Sequence, residues 1–241
     1  MALRSNRILK LLRPGNYILF FLWRIKIAQV FLYSRASKRQ LKKSGGRGLF
    51  FDCGSNTGQG FEFFQKFYSR EFYDYVLFEP NPYCFKILSG KYLSKQYPGV
   101  ELINAAIGIA DGLVNFYGLG EERGGIYSVG GTTLVDHNSK LFATPNDVSL
   151  NVQSINFVNY IQRTLRKNSY SAIILKLDIE GGEYVVLEAL IKNNLLAKFD
   201  TVYVEFHSQY MQQRESHSYK DREREVLRYS KSIETRVVKW I

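Results

Sequence analysis

Apolar residues recur along this chain with two spacings. Short runs such as Leu49-Phe50-Phe51, Tyr75-Val76-Leu77-Phe78 and Ala172 to Leu177 are bounded by turn residues. Between them lie longer stretches in which apolar positions return every three or four residues, as in Gly182 to Ala197 with Val185, Val186, Leu187, Leu190 and Ile191. The first spacing marks buried strands and the second marks helices packed along one face. The pattern predicts strands at about 48–53, 74–79, 100–106, 113–118, 148–155, 172–177, 201–206 and 236–241. It predicts helices at about 58–69, 82–95, 156–167, 182–197 and 219–231, with Pro82 suited to a first helical position. Asp111-Gly112 reads as a turn, which makes the preceding and following strands look like a hairpin.

Strands alternating with helices indicate an α/β fold: a mostly parallel sheet with helices on both faces. Ligands in such sheets bind beyond the carboxyl ends of the strands. Asp52, Glu79, Asn104, Asp178 and Glu205 fall at or near such ends. Residues 118 to 146 lack periodicity and are rich in glycine. A long loop of that kind inside a compact domain reads as a lid or an insertion.

The net charge of +11 changes the picture because it is unevenly spread. Residues 1–48 carry twelve Lys or Arg and no acid, so the rest of the chain is close to neutral. A nucleic-acid enzyme would line its cleft with bases, and no nucleic-acid partner is expected here. The division is an N-terminal basic, apolar arm and linker at 1–47 and an α/β domain at 48–241. In the arm, residues 17–23 are wholly apolar, but Arg24 and Lys26 interrupt before the apolar character resumes. Two charges in mid-segment argue against a spanning helix, and no small-residue cleavage site follows. Two readings stay open. Residues 1–43 lie on an anionic membrane surface, or the arm is a helix that covers an edge of the domain. Only Cys53 and Cys84 are present, and no Asn-x-Ser/Thr sequon occurs. Both facts favour a reducing, cytoplasmic setting.

The candidate chemistry begins at Asp52-Cys53-Gly54-Ser55-Asn56-Thr57-Gly58, where a strand ends in an acid and passes through glycines into a helix. Glycine lets a backbone approach a ligand closely. The spacing is not the G-x-G-x-x-G of dinucleotide sites, and no G-K-[ST] triplet completes a phosphate loop. Glu79 ends the second strand, where an acid can accept from ribose hydroxyls. Further on, Lys176, Asp178, Glu180 and Glu183 gather at a strand end and helix start, and Glu205 and His207 alternate in the next strand so as to share a face. Asp178 is the first choice as general base, with His207 second. Lys176 shares a face with Asp178 and is placed to steady the carboxylate or the substrate. Helix capping is the competing reading for Asp178, Glu180 and Glu183. Carboxylates with a histidine could hold a divalent cation, although no tight ligand motif such as H-E-x-x-H is present.

Asp-x-Gly-x-Asn-x-Gly resembles motif I of class I methyltransferases. Taken with Phe78-Glu79-Pro80-Asn81-Pro82, Asn104-Ala105-Ala106-Ile107-Gly108 and Lys176-Leu177-Asp178-Ile179-Glu180-Gly181-Gly182-Glu183, the chain resembles the FkbM family over roughly residues 48–210. Gly182 stands where alanine is expected in many relatives, and a small residue is kept. The resemblance implies a Rossmann-like class I fold, S-adenosylmethionine (SAM) as cofactor and O-methylation of a sugar in a glycan or of a small molecule. It implies SAM contacts from Asp52, Gly54, Ser55, Asn56, Gly58, Glu79, Asn104 and Ala105, and a catalytic group of Asp178, His207, Glu180 and Lys176. The rivals are a methyltransferase for nucleic acid or protein, and a membrane-associated SAM-binding protein without turnover. Tyr117 and Tyr127 are loop aromatics able to stack on a sugar ring, a plain surface role being the simpler account of both.

Overall fold

The computed structural model describes residues 17–93, 97–118, 130–134, 137, 149–211 and 213–240. In chain order the elements are α1 (Tyr17–Ser44), β1 (Gly48–Cys53), α2 (Gln59–Phe64), β2 (Tyr73–Phe78), α3 (Pro82–Tyr92), β3 (Val100–Ile103), β4 (Ala106–Gly108), β5 (Gly112–Phe116) and β6 (Leu150–Asn156). There follow α4 (Phe157–Lys167), β7 (Ala172–Leu177), α5 (Glu183–Lys192), β8 (Thr201–Val204), α6 (Gln213–Ser230) and β9 (Arg236–Lys239). Short 3₁₀ turns precede β8 and α6.

The central sheet has the order β3-β2-β1-β7-β8-β9. Every pairing in it is parallel. β1 and β7 are buried along their whole length, which is why they read as continuous apolar runs. Alternation divides their side chains between two cores. Leu49, Phe51, Cys53, Ile173, Leu175 and Leu177 meet α4, α5 and α6 on one face. Phe50, Tyr75, Leu77, Ile174 and Tyr203 meet α1, α2 and α3 on the other. This is the α/β layering expected from the pattern, and it is consistent with the Rossmann-like fold that the resemblance implied. The second core is dense in aromatic rings: Phe50 stacks on Tyr75 at 5.0 Å, and Phe64 lies 4.9 Å from Tyr203.

Three expectations are corrected. The stretch 100–118 is not a hairpin. β4 and β5 both pair with β6, in parallel and antiparallel sense, as a separate three-stranded sheet. Ser154 and Asn156 of β6 take the backbone carbonyls of Ala110 and Ile109, so the turn at 109–111 is folded onto β6 rather than closing a two-strand ribbon. Helix α2 ends at Phe64, five residues early. The chain then tightens into turns (Phe67 N to Phe64 O, 2.9 Å), which lets the Tyr68 hydroxyl meet that of Tyr203 at 2.7 Å inside the core. β8 stops at Val204, so Glu205 and His207 do not share a strand face.

Helix α1 separates its two faces by one half-turn. Val30, Ser34, Ser37 and Leu41 are buried against the sheet. Ser37 Oγ meets Tyr73 OH at 2.5 Å, and Gln40 donates to Ser171 O. Phe21, Leu22, Ile25 and Leu32 point outward and are exposed. No helix among the described residues is long and apolar enough to cross a membrane.

Candidate active site

The strand order places the reversal between β1 and β7, whose chain connections leave in opposite directions. A crevice opens at such a switch point beyond the carboxyl ends. The turn after β1 is fixed there from both sides. Gly54 N and Ser55 N donate to Phe78 O at 3.1 and 3.0 Å. Lys176 Nζ donates to Gly54 O at 2.8 Å. Gly54, Asn56 and Gly58 have positive φ (79°, 49° and 100°). A Cβ on Gly54 would collide with the Asp178 carbonyl, so a bare backbone is required for the two strand-end loops to touch. Gly58 is required by its φ and by the Tyr92 ring beside it. Ser55 is buried, its Oγ donating to Asp52 O.

Glu79 ties this turn to the end of β2. Its Oε2 accepts from Asn56 N at 2.6 Å and its Oε1 from Asn81 N at 2.8 Å. Burial pushes its carboxyl up to about 7, against the opposing pull of those two N–H groups. Each oxygen keeps a lone pair beyond these bonds. Asn104 Nδ2 donates to Glu79 O at 2.7 Å, which docks the end of β3 onto the same loop, and Ala105 is buried behind it.

Asp52 and Lys176 are register partners on β1 and β7, and their charges meet at 3.2 Å with both side chains buried. Asp52 thus faces inward to Lys176. The same ammonium lies 3.2 Å from Asp178 Oδ2. Burial alone would lower the Lys176 pKa. The carboxylates of Asp178 and Asp52 outweigh burial and hold it above the ordinary lysine value. Lys176 is thus held as a cation between Asp52 and Asp178. Asp178 is the solvent-reached member of this chain of charges, with 29% of its side chain exposed.

His207, in the loop after β8, lies with its Nε2 3.3 Å from Glu180 Oε2 and 3.8 Å from Asp178 Oδ1. Its Nδ1 and its backbone N are both 2.9 Å from Glu183 Oε1. Glu183 is fully buried at the start of α5, and its Oε2 accepts from Gly181 N. Burial would lower the imidazole pKa, but Glu183, then Glu180 and Asp178, raise it to about 10. The surrounding carboxylates thus favour the protonated ring. Asp178 keeps exposed surface where His207 is buried.

The structure therefore brings Lys176, Asp178, Glu180 and His207 into one cluster, with Asp52 and Gly54 directly behind it. Ser55, Asn56, Gly58, Glu79, Asn104 and Ala105 form the neighbouring rim. Glu205 is apart: it lies within electrostatic reach of Lys26 on α1. Two residues were missed. Glu183 looked like a helix-end acid but is the anchor of His207, a role its burial decides. His137 Nε2 lies 3.3 Å from Glu180 Oε2, and it comes from a stretch with no periodic signal. Most of the glycine-rich segment 118–146, with Tyr127, lies outside the described residues. Of its described part, Thr132 pairs with the Tyr117 backbone and donates through Oγ1 to Glu180 O.

A family model described as the methyltransferase FkbM domain matches residues 52–230. Comparison with curated proteins and with solved structures returned no match. The matched span runs from the Asp52 turn through the cluster around Asp178 and His207 to the end of α6, so the chain belongs to the FkbM family of methyltransferases.

Proposed function

We propose that this methyltransferase uses SAM to methylate a hydroxyl of a sugar in a glycan or of a related small molecule, with Asp178 as general base. The observation that carries the reading is the Asp178 carboxylate itself. It keeps exposed surface at the strand switch point and lies 3.2 Å from Lys176. The cofactor fits the rim by chemistry. Glu79 offers unused lone pairs at the end of β2, beside a turn whose positive-φ residues keep side chains out of the way. SAM supplies an electrophilic methyl group on a sulfonium. Glu79 would accept from the ribose hydroxyls, and the turn 54–58 would bear the methionine part. Asp52 contributes through Lys176, since its carboxylate faces inward. Asp178 takes the proton of the acceptor hydroxyl as the oxygen attacks, and alignment of that oxygen supplies the rest of the acceleration. The near-neutral charge of residues 49–241 favours an uncharged acceptor such as a sugar over nucleic acid. Incubation with labelled SAM and panels of glycans, nucleic acids and proteins tests this. Label entering only RNA or protein would reject the acceptor class.

The outer face of α1 adds a location to this reading. Phe21, Leu22, Ile25 and Leu32 form an exposed apolar stripe, flanked by Arg24, Arg35 and Arg39 in a segment without a single acid. The inner face of the same helix is already occupied by the sheet, so the stripe is left over from folding. Apolar side chains with a basic border suit an anionic membrane surface. Lys26 approaches Glu205 and Lys239 at the carboxyl ends of β8 and β9, while Ser37 and Gln40 reach the amino ends of β2 and β7. The apolar stripe is therefore at the same end of the sheet as the crevice, which favours an acceptor held at the membrane.

A further inference from the structure

The cluster around Asp178 holds more negative charge than a general base needs. Among the described residues, Asp52 and Asp178 share the Lys176 ammonium, while Glu180 and Glu183 face His207. Withdrawing that many anions from water requires compensating cations. The arrangement is also directional. One ligand atom each from Asp178, Glu180 and His207 lies within 4.8 Å of the others. Donor atoms about 2.1 Å from a common ion stand roughly 3.0–3.5 Å apart, and the His207 Nε2 to Glu180 Oε2 distance is 3.3 Å.

An independent observation points the same way. Glu183, wholly buried, engages His207 Nδ1 at 2.9 Å and also binds the His207 backbone N–H. That contact fixes the ring and leaves Nε2 aimed at the two carboxylates. A carboxylate behind a histidine whose second nitrogen faces open donors is how metal-binding histidines are oriented. His137, with its side chain buried, approaches Glu180 Oε2 at 3.3 Å from the other side. Asp178 and Glu180 both retain exposed surface, so a fourth or fifth position stays open towards the crevice.

We propose that Asp178, Glu180 and His207 bind one divalent transition-metal ion. The imidazole selects Mn2+, Co2+ or Zn2+ over Mg2+ and Ca2+, which prefer all-oxygen shells. The inference deepens the methyl-transfer reading and rests on it for its purpose: the ion would hold the acceptor oxygen and stabilise its negative charge as the proton leaves to the Asp178 oxygen that does not bind the ion.

The test uses full-length protein stripped with a chelator and titrated separately with Mn2+, Co2+ and Mg2+. Calorimetry reads affinity and stoichiometry, and the visible absorption of Co2+ reads histidine and carboxylate ligation. One Mn2+ or Co2+ per chain is expected, with Mg2+ weaker. Glu180→Gln and His207→Ala should each weaken binding at least about tenfold, and Glu183→Gln by roughly 10–100-fold through loss of ring orientation. Absence of saturable binding to the unaltered protein overturns the site without reference to any variant. So does binding that folded Glu180→Gln and His207→Ala leave unchanged. SAM binding is measured on the same metal-free samples. A protein that binds SAM but no ion refutes only the metal site, whereas one that binds the ion but not SAM refutes only the methyl-transfer reading.

Discussion

Asp178 and Lys176 differ in what their loss should do, because one is open to substrate and the other is sealed. Asp178→Asn keeps the shape and removes the proton acceptor. Turnover should fall by roughly 10²–10⁴-fold with SAM affinity within a few-fold of the parent, measured by single-turnover methyl transfer and calorimetry. Near-normal turnover would remove Asp178 as base. Lys176→Met strands the buried Asp52 carboxylate, and urea unfolding should show a loss of about 3–5 kcal/mol. Combining it with Asp52→Leu should recover much of that loss, since the uncompensated charge goes too. Glu79 adds a pH dependence. Its carboxyl has an ordinary value of 4.5 and titrates at about 7 in the fold. The folded state therefore holds the proton more tightly, and the stabilisation from this group is complete below the ordinary value and lost as pH rises through about 7. SAM needs the ionised acceptor, so its affinity should rise up to about tenfold per pH unit until Glu79 is ionised, then level off. Glu79→Gln should flatten the profile. A flat profile in the unaltered protein would mean that Glu79 does not receive the ribose.

At the scale of elements, the turn after β1 and helix α1 carry the sharpest expectations. Gly54→Ala would force a Cβ into the Asp178 carbonyl at a φ of 79°. The turn and the loop after β7 would separate, and thermal unfolding should drop together with SAM binding. On α1, inward and outward substitutions should behave oppositely. Leu41→Ala, on the buried stripe, should cost about 2–5 kcal/mol. Ile25→Asp with Leu32→Asp, on the exposed stripe, should leave the melting temperature unchanged and abolish sedimentation with phosphatidylserine vesicles. Sedimentation equal to that of the parent would dismiss the membrane surface. The apolar pattern of α1 left a membrane-surface segment and a covering helix both open, because apolar residues fall on both faces.

For the molecule as a whole, α1 is one wall of a core and not a detachable tail. Removal of residues 1–44 takes away Val30 and Leu41 and the partner of Tyr73, and bares Phe50, Tyr75 and Tyr203 beneath. That truncation should aggregate or melt at markedly lower temperature by differential scanning fluorimetry. A cut at residue 20 should be tolerated, because the buried stripe begins at Val30 among the described residues. The parallel sheet was legible in advance, since strands buried on both faces must be apolar throughout and Gly48 to Cys53 and Ala172 to Leu177 are nearly so. The second sheet was not. Val100 to Phe116 alternates too weakly to show that β4 and β5 would each choose β6, a partner more than thirty residues away.

The sequence by itself determined the layering, the glycine turn and the set of acids at the strand ends, because burial periodicity and turn chemistry act between near neighbours. Tertiary structure alone decided which charges meet. Lys176 could have served substrate, but its register opposite Asp52 makes it an internal tie. Glu183 could have capped a helix in solvent, but the close approach of the β8 loop buries it against His207. His137 reached Glu180 from a segment with no pattern at all. Electrostatic partners are set by distances through space, and a linear order of residues does not carry those distances.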